Sequence, residues 1–212
     1  MKDSQVNRTK SKTREYIESF IIAALIAFFV RSFFIQAFKI PSSSMEPTLL
    51  IGDHLLVNRL SYVVKVPFTD IVLFNLGKPE RGEVIVFRYP VDTSKDFIKR
   101  VIAREGDTIE IKNKVIYLNG SAINDRYGYY SDNRLLPGFL SPKDNMEPVT
   151  VPPDSYFVMG DNRDRSLDSR FWGFVHQDHL VGRALIIYFS WDGKSHNPLH
   201  YIRWGRIGRL IK

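Results

Sequence analysis

The stretch TIEIKNKVIYLNG, residues 108–120, decides the fold class of this 212-residue chain. Asn113-Lys114 separates two short runs rich in Ile and Val, and Asn119-Gly120 follows the second run. Asparagine and glycine tolerate the positive φ angles that tight hairpin turns require. The stretch therefore predicts a β-hairpin that turns at Asn113-Lys114, with a further turn starting at Asn119-Gly120.

Similar runs, each ended by Gly, Pro, Asn or Asp, occur on both sides of this hairpin. They include HLLVNRL (54–60), GEVIVFRYP (82–90), SYFVMGDN (155–162) and GRALIIYFSW (182–191). No long 3.6-residue period follows Pro41, so residues 39–212 are predicted to form a mainly β domain. Residues 121–150 are polar and rich in Pro and Gly, which predicts an insertion or long surface excursion on the β scaffold.

An apolar segment, residues 16–38, precedes this domain. It contains an uninterrupted apolar run from Phe20 to Val30 and is predicted to form one transmembrane helix. A cleaved secretory signal is the alternative, but no small-x-small cleavage site precedes Pro41. The basic tail, residues 1–15, places the N-terminus in the cytoplasm by the positive-inside rule, and residues 39–212 then lie on the outer side.

The charge distribution argues against a nucleic-acid partner. The formal net charge is +7, but residues 1–39 hold seven Lys or Arg against three acids, and the remaining 173 residues hold 23 against 20. A nucleic-acid binder concentrates basic residues on one face. The chain has no cysteine, which excludes disulfides, thiolate metal sites and a cysteine nucleophile.

Histidine-based chemistry has little support in the sequence. His176 and His179 form an H-x-x-H pair without a third ligand nearby, so we expect no metal. No G-x-S-x-G motif is present, so a Ser-His-Asp hydrolase is not indicated. The remaining histidines are interpreted as turn or solvated residues: His54, His196 and His200.

Serine and lysine remain as candidates. Lys99 lies between Phe97-Ile98 and Val101-Ile102, and in a strand Phe97, Lys99 and Val101 share one face. Burial among apolar groups lowers a lysine pKa and leaves a neutral amine able to act as a base. On this segment alone, an exposed lysine on an edge strand is the alternative.

The segment GDNRDRSLDSR, residues 160–170, alternates acidic and basic side chains. Such a pattern is typical either of a solvated loop with weak ion pairs or of a buried network that supports a site. The sequence alone leaves both open.

Four motifs, in chain order, resemble those of bacterial type I signal peptidases, and the resemblance covers the anchor and nearly all of residues 39–190. The motifs are PSSSMEPTLLIGD (41–53), RGEVIVFRYP (81–90), DFIKRVIAREGD (96–107) and YFVMGDNRDRSLDSRFWG (156–173). The resemblance implies a mainly β, membrane-anchored Ser-Lys protease of the signal-peptidase fold. Two positions depart from the usual motif: Ser43 stands where relatives often have Gly, and Glu46 is expected to face solvent.

The resemblance also implies residue roles. Ser44 is the nucleophile and Lys99 the general base. The Ser42 hydroxyl and the Ser44 N–H form the oxyanion hole, and Ser166 orients the lysine. The supporting, non-reacting network consists of Asp161, Arg163, Asp168 and Arg170.

The implied function is removal of signal peptides from exported preproteins after small residues, as in Ala-x-Ala sites, through an acyl-enzyme. No metal or cofactor is implied. The expected partners are preproteins and membrane lipid, with Trp191 or Trp204 as lipid contacts or core residues, and no nucleic acid. The expected setting is a monomer in a bacterial cytoplasmic membrane, with its catalytic domain on the outer face. Two rivals are a self-cleaving SOS-response repressor, which needs an N-terminal DNA-binding domain, and a tethered β domain that binds partners without catalysis.

Overall fold

A computed structural model describes residues 12–65, 72–193 and 201–212. The predicted roles of His196, His200 and most of the tail 1–15 lie outside these residues. The described chain is mainly β, as predicted, with one N-terminal helix and one short internal helix. The helices are α1 (Lys12–Phe33) and α2 (Ser169–Trp172). The strands are β1 (Ile35–Lys39), β2 (Asp53–Asn58), β3 (Val63–Lys65), β4 (Val72–Asn75), β5 (Val84–Tyr89), β6 (Asp92–Arg104), β7 (Thr108–Lys112), β8 (Val115–Leu118), β9 (Ser121–Ala122), β10 (Met146–Thr150), β11 (Ser155–Met159), β12 (Val175–His176) and β13 (Leu180–Ser190).

Three antiparallel sheets contain these strands. The largest has the order β1-β2-β13-β5-β6-β11-β12, the second β10-β7-β8-β9, and the third only β3-β4. The predicted hairpin is confirmed as β7–β8, with positive φ at Asn113 and Lys114. The turn predicted at Asn119-Gly120 is also confirmed and leads into β9.

The connection between β1 and β2 holds the first motif against the core. Ile40 N donates to Asp53 O (2.8 Å) and Gly52 N donates to Ile40 O (3.0 Å), which closes the connection. Gly52 has φ +90°, and a Cβ there would lie 2.1 Å from the Trp191 carbonyl oxygen, so only glycine fits. Met45, in the middle of the connection, is fully buried in one hydrophobic cluster of the large sheet.

The N-terminal helix ends earlier than predicted. We expected one helix over 16–38, but α1 ends at Phe33, and Ile35–Lys39 is strand β1, paired in antiparallel register with β2. Apolar residues suit a lipid-exposed helix and a sheet strand equally, so composition could not separate the two. Among the residues that the structure describes, no helix is long and apolar enough to cross a bilayer.

Residues 121–150 are more integrated than a surface excursion. They begin in β9 and end in β10, which pairs with β7. Between these strands, Tyr129 N donates to Asp161 O (2.7 Å) and Arg163 N donates to Tyr129 O (2.9 Å). The segment therefore braces residues 161–163.

Candidate active site

Ser44 and Lys99 come from distant parts of the sequence and meet in the structure. Ser44 lies in the β1–β2 connection, directly before the buried Met45, and Lys99 lies on β6. The Lys99 Nζ is 2.7 Å from the Ser44 Oγ, and both residues are buried. A hydroxyl and an amine at this distance, shielded from water, can exchange a proton directly.

The surroundings of Lys99 favour its neutral form. Burial lowers its pKa to about 8 from an ordinary value of 10.5, while the carboxylates of Asp168 and Asp161 act in the opposite direction. The Nζ lies 5.3 Å from the centroid of the Phe97 ring, on the face that strand alternation predicts. It also donates to Ile98 O at 3.0 Å. With this pKa, about one Lys99 in ten is neutral at pH 7.

Ser42 lies beside the dyad but on its exposed side. Its Oγ is 3.4 Å from the Ser44 Oγ, so its hydroxyl can reach an oxygen that develops next to the Ser44 Oγ. Ser43 is partly buried, and its carbonyl oxygen accepts a hydrogen bond from the Asn162 side chain (3.3 Å). Of the two serines that precede Ser44, Ser42 is thus the one with its hydroxyl at the dyad.

Ser166 is buried but is not hydrogen-bonded to Lys99. Its hydroxyl lies beside Asp168, whose pKa it helps to lower, yet it has no hydrogen bond of normal geometry to any described residue. Gly160 places it close to the nucleophile: a Cβ at Gly160 would lie 2.2 Å from the Ser166 Oγ and 2.4 Å from the Ser44 carbonyl oxygen. Only a glycine allows Ser166 and the Ser44 backbone to pack this closely.

Four charged residues of the segment 160–170, Asp161, Arg163, Asp168 and Arg170, belong to a buried network, whereas Arg165 is exposed. Arg100, from β6, donates two hydrogen bonds to Asp161 (2.8 and 2.7 Å). Arg170 donates two hydrogen bonds to Asp168 (2.8 and 2.9 Å), and Gly160 N donates to the same carboxylate (3.0 Å). Asp161 and Asp168, the two fully buried carboxylates of this segment, therefore each face an arginine, as burial of charge requires.

Arg163 connects this network to residues 121–150. It is fully buried, and its guanidinium forms a two-point ion pair with Asp125 and donates to Gly160 O (2.8 Å). Burial alone lowers the Arg163 pKa, but the hydrogen bonds and charge of Asp125, together with the charge of Asp161, raise that pKa overall. For Asp168, burial raises the pKa, but the charge and hydrogen bonds of Arg170, together with the hydrogen bonds from Gly160 N and Ser166, lower it overall, which favours the ionised carboxylate.

Sequence reasoning missed several residues that position the dyad. Asn162 N donates to Ser44 O (3.1 Å), which ties the nucleophile to the 160–170 segment. Gly160 and Asn162 both lie inside the fourth motif, residues 156–173. Sequence reasoning could therefore have assigned them a structural role beside the charged residues of that motif. Arg100, the residue after Lys99, was also missed, and it neutralises Asp161.

A second ion pair, between Asp53 at the end of the first motif and Arg206 near the C-terminus, was also missed. Asp53 accepts hydrogen bonds from Ser190 Oγ (2.7 Å), Leu50 N (2.8 Å) and the Arg206 guanidinium. Arg206 also donates to Thr48 O (2.9 Å). Together these bonds hold the turn that follows Ser44, and no local sequence pattern indicates a pair separated by 153 residues.

Glu46, which was expected to face solvent, is partly exposed. It lines an open cavity of about 720 Å³ together with Pro41, Trp191 and Arg203.

His176 caps a turn, since its ring nitrogen accepts a hydrogen bond from Asp178 N (3.3 Å). Over residues 12–65, 72–193 and 201–212, no group of three or more His, Asp or Glu is placed to hold a metal ion.

The chain matches a known family of proteins. A family model described as "Signal peptidase, peptidase S26" matches residues 13–191. The chain belongs to this signal peptidase family. It is accordingly a serine endopeptidase that removes signal peptides.

Individual relatives agree with the family match. The chain is 36% identical to a signal peptidase I of Pseudomonas aeruginosa, over 91% of this chain and 78% of that protein. It is 38% identical to a signal peptidase I of Aquifex aeolicus, over 87% of each. A crystal structure of a signal peptidase I from Enterococcus faecalis matches 50% of this chain and 97% of its own length, with 32% identity and a TM-score of 0.41.

Proposed function

We propose that Ser44 is the nucleophile and Lys99 the general base with which this endopeptidase cleaves preproteins. The observation that carries the proposal is the 2.7 Å separation of the Lys99 Nζ and the Ser44 Oγ in a buried setting that lowers the lysine pKa to about 8. By contrast, the His54 ring bonds to Gly52 O (3.1 Å) and the His176 ring to Asp178 N (3.3 Å).

The first half of the reaction forms an acyl-enzyme. Neutral Lys99 takes the Ser44 proton as the Oγ bonds to the scissile carbonyl carbon. The protonated lysine then gives that proton to the leaving amine as the C–N bond breaks, and the new N-terminus departs. In the second half, Lys99 takes a proton from water as the water oxygen bonds to the ester carbonyl carbon. The protonated lysine then gives that proton to the Ser44 Oγ as the acyl C–O bond breaks, and the signal peptide leaves with a new C-terminal carboxyl group.

Ser42 and the Ser44 backbone are proposed to stabilise the negative charge on the oxygen of the tetrahedral intermediate. The Ser42 hydroxyl and the Ser44 N–H are the proposed oxyanion hole, and losing one such donor costs roughly 3 kcal/mol of transition-state stabilisation. Ser166, whose buried hydroxyl lies beside Gly160 and Asp168, is proposed to orient Lys99. The proposed structural support is the buried network of Asp161, Arg163, Asp168 and Arg170.

The substrate is proposed to be a preprotein with an Ala-x-Ala type site, cleaved at a membrane surface. Apolar side chains of α1 such as Phe20, Leu25 and Phe28 are exposed, and Trp204 and Trp191 are exposed at the far end of the chain. Such surfaces are typical of contact with lipid. We propose that residues 16–38, as helix α1 and strand β1, hold a monomer at a bacterial cytoplasmic membrane, with the N-terminus in the cytoplasm and the catalytic domain outside.

The proposed membrane anchor limits how far the Ser44–Lys99 dyad can lie from the membrane. Ser44 follows Phe33 by eleven positions in the chain, so the nucleophile lies within about 40 Å of the end of α1 even if the chain between them were fully extended. A signal peptide has its cleavage site just after its apolar region. The proposed anchor therefore keeps Ser44 near the level at which that bond leaves the bilayer.

Alanine substitutions in the serine cluster test the dyad. The full-length protein in detergent would be assayed on a preprotein with an Ala-x-Ala site, as wild type and as Ser42→Ala, Ser43→Ala, Ser44→Ala and Lys99→Ala. We expect Ser44→Ala and Lys99→Ala to lose at least about 10³-fold in kcat/KM, and Ser42→Ala to lose about 10²-fold. Ser43→Ala is the matched control and should stay within a few fold of wild type. Turnover by folded Lys99→Ala at the wild-type rate would show that another base serves Ser44.

A further inference from the structure

Two neighbouring carbonyl groups at the nucleophile are both bound by one residue, Asn162. Its side-chain Nδ2 donates to Ser43 O (3.3 Å), and its backbone N–H donates to Ser44 O (3.1 Å). Asn162 is itself buried, with 2% of its surface exposed. Glu46 N also donates to Ser43 O (3.1 Å), which closes a turn over residues 43–46. The Ser43 carbonyl is therefore held twice, once by its own turn and once by Asn162.

The orientation of the Ser43 carbonyl fixes the orientation of the Ser44 N–H. A peptide group is planar, and in a trans peptide the C=O of one residue points away from the N–H of the next. The Ser43–Ser44 peptide is trans. Because its oxygen is held by Asn162 and by the Glu46 N–H, the Ser44 N–H points to the opposite side of the peptide group. Within the described part of the chain, no backbone carbonyl accepts a hydrogen bond from that N–H.

The side-chain oxygen of Asn162 offsets what its nitrogen contributes to stability. Oδ1 is buried, and no described residue donates a hydrogen bond to it. A buried acceptor without a donor costs free energy. Exchanging the two amide atoms would place Oδ1 against Ser43 O, so the contact with the Ser43 carbonyl also fixes the orientation of the amide. The side chain therefore brings little net stability, and its one polar contact is with the peptide group that carries the Ser44 N–H.

We propose that Asn162 is a positioning residue for the oxyanion hole, whose side chain holds the Ser43 carbonyl and thereby aims the Ser44 N–H at the oxygen of the tetrahedral intermediate. This inference rests on the proposed function, in which the Ser44 N–H and the Ser42 hydroxyl bind that oxygen. A donor aimed at a developing charge lowers the barrier to reaction without tightening the binding of substrate. Loss of the Asn162 side chain should therefore lower kcat and leave KM unchanged.

Kinetics of Asn162→Ala and Asn162→Leu test this role. Both variants keep the backbone N–H that binds Ser44 O and lose the Nδ2 donor, and leucine also preserves most of the side-chain volume. The protein in detergent would be assayed on an Ala-x-Ala peptide. We expect kcat to fall about tenfold, less than the roughly 10²-fold or more for an oxyanion donor removed outright, because the Glu46 N–H still holds the Ser43 carbonyl.

The same assay contains the results that would overturn the role. KM should stay within about twofold of wild type, as for an interaction made only in the transition state. The midpoint of the pH profile should also stay at its wild-type value, because the Lys99–Ser44 contact is untouched. An unchanged kcat in both variants, a loss confined to KM, or a shifted midpoint would each overturn the proposal.

Asn145→Ala is the matched control for loss of a side-chain amide. Asn145 Nδ2 also donates to a backbone carbonyl, Leu136 O (2.9 Å), but its oxygen accepts a hydrogen bond from Asn113 N (2.9 Å). Its removal should lower the denaturant midpoint and leave kcat at the wild-type value. Asn162→Leu should do the reverse. A fall in kcat that follows the loss of stability equally in both variants would reduce Asn162 to a structural residue and overturn the proposal.

Binding of a peptide aldehyde that ends in Ala-x-Ala separates this inference from the proposed function. The Ser44 Oγ bonds to the aldehyde carbon, Lys99 takes the Ser44 proton, and the former carbonyl oxygen occupies the oxyanion hole. The matching peptide alcohol cannot form this bond and reports substrate binding alone. In Asn162→Leu we expect the affinity for the aldehyde to fall about tenfold, as kcat does, and the affinity for the alcohol to stay unchanged.

The Ser44→Ala variant distinguishes the two ways in which the aldehyde experiment can fail. An aldehyde affinity that Ser44→Ala leaves unchanged would overturn the proposed function, and the role of Asn162 with it. An affinity that Ser44→Ala abolishes and Asn162→Leu leaves unchanged would overturn the role of Asn162 alone.

Discussion

Two buried networks of carboxylate and arginine lie behind the dyad, one against each of its partners. The lysine-side network comprises Asp161 with Arg100, Asp168 with Arg170, and Arg163 with Asp125. The serine-side network comprises Asp53 with Ser190, Arg203 and Arg206. Asp53, Asp161 and Asp168 are all fully buried, so in both networks the arginine must neutralise a charge that water cannot reach.

The two networks differ in what they do to the reacting groups. Asp168 and Asp161 act on the Lys99 amine through their charge and raise its pKa, against the larger effect of burial. Asp53 has no such effect on Lys99; its bonds to Leu50 N and, through Arg206, to Thr48 O fix the backbone after Ser44. The lysine-side network therefore affects both the Lys99 pKa and the conformation of the site, whereas the serine-side network affects only the conformation of the backbone after Ser44. The following substitutions test this contrast.

Removing an arginine should cost more on the lysine side. Arg170→Ala leaves Asp168 buried without a counter-charge and should lower the free energy of unfolding by roughly 3–5 kcal/mol. Arg206→Ala should cost only about 2 kcal/mol, because Asp53 keeps its bonds to Ser190 Oγ and Leu50 N, and Arg203 remains 3.7 Å away. Denaturant unfolding of the two variants measures both values. A larger loss for Arg206→Ala would reverse the contrast.

Removing the buried amine should stabilise the protein. The folded-state pKa of Lys99, about 8, lies below the ordinary value of 10.5, so burying the protonated amine costs up to about 3 kcal/mol. Below pH 8 both states are protonated and the native state bears this full cost. As pH rises from 8 to 10.5 the unfolded state holds more protons, and the cost disappears.

Lys99→Met should therefore unfold at a higher denaturant concentration than wild type at pH 7, and the difference should shrink to near zero above pH 10.5. Denaturation curves of both proteins measured at pH 6, 8 and 10 would test this prediction. A difference that stays constant with pH would mean that the lysine charge carries no burial cost.

A methyl group at Gly160 should damage both folding and catalysis. The added Cβ would lie 2.4 Å from the Ser44 carbonyl oxygen, which should cost about 1–3 kcal/mol of stability and displace the nucleophile. Gly182→Ala is the matched control, since its Cβ would lie 2.2 Å from the Asn58 carbonyl oxygen, at the β2–β13 pair. We expect comparable losses of stability, but a fall in kcat/KM at a permissive temperature only for Gly160→Ala.

The smallest expected effect is a shift of the pH profile. Asp168→Asn removes a charge that raises the Lys99 pKa, so the midpoint of the kcat/KM profile should move to lower pH. Asp53→Asn, the same change in the serine-side network, should leave the midpoint where it is in wild type. Equal shifts in both variants would mean that the networks do not differ in their effect on Lys99.

The sequence draws attention to four members of the lysine-side network because they lie close together. Asp161, Arg163, Asp168 and Arg170 fall within ten residues, and their alternating signs are typical either of internal pairing or of a solvated loop. Lys99 was recognisable from its apolar neighbours on a strand. The 153-residue separation of Asp53 and Arg206 leaves no such local trace, because only the pairing of β2 with β13 brings their surroundings together.

The fold was predictable where turn residues and the alternation of apolar and polar residues both indicate strands. It was less predictable where a run of apolar residues suits a helix and a strand equally well. The β7–β8 hairpin follows from its Asn113-Lys114 turn, since a positive φ at both residues admits few alternatives. The end of α1 was placed five residues too late, because Ile35–Lys39 continues the apolar run while its backbone pairs with β2. Asp125 and Tyr129 looked like loop residues, and their contacts with Arg163 arise only in the tertiary structure.

The pH dependence of kcat/KM for wild-type protein on an Ala-x-Ala peptide tests the central claim most directly. If neutral Lys99 is the base, activity should rise with pH through a single midpoint near 8, in line with the lowered pKa of the buried amine. A midpoint near 6.5, the ordinary pKa of histidine, or one near 10.5, that of an exposed lysine, would contradict the account.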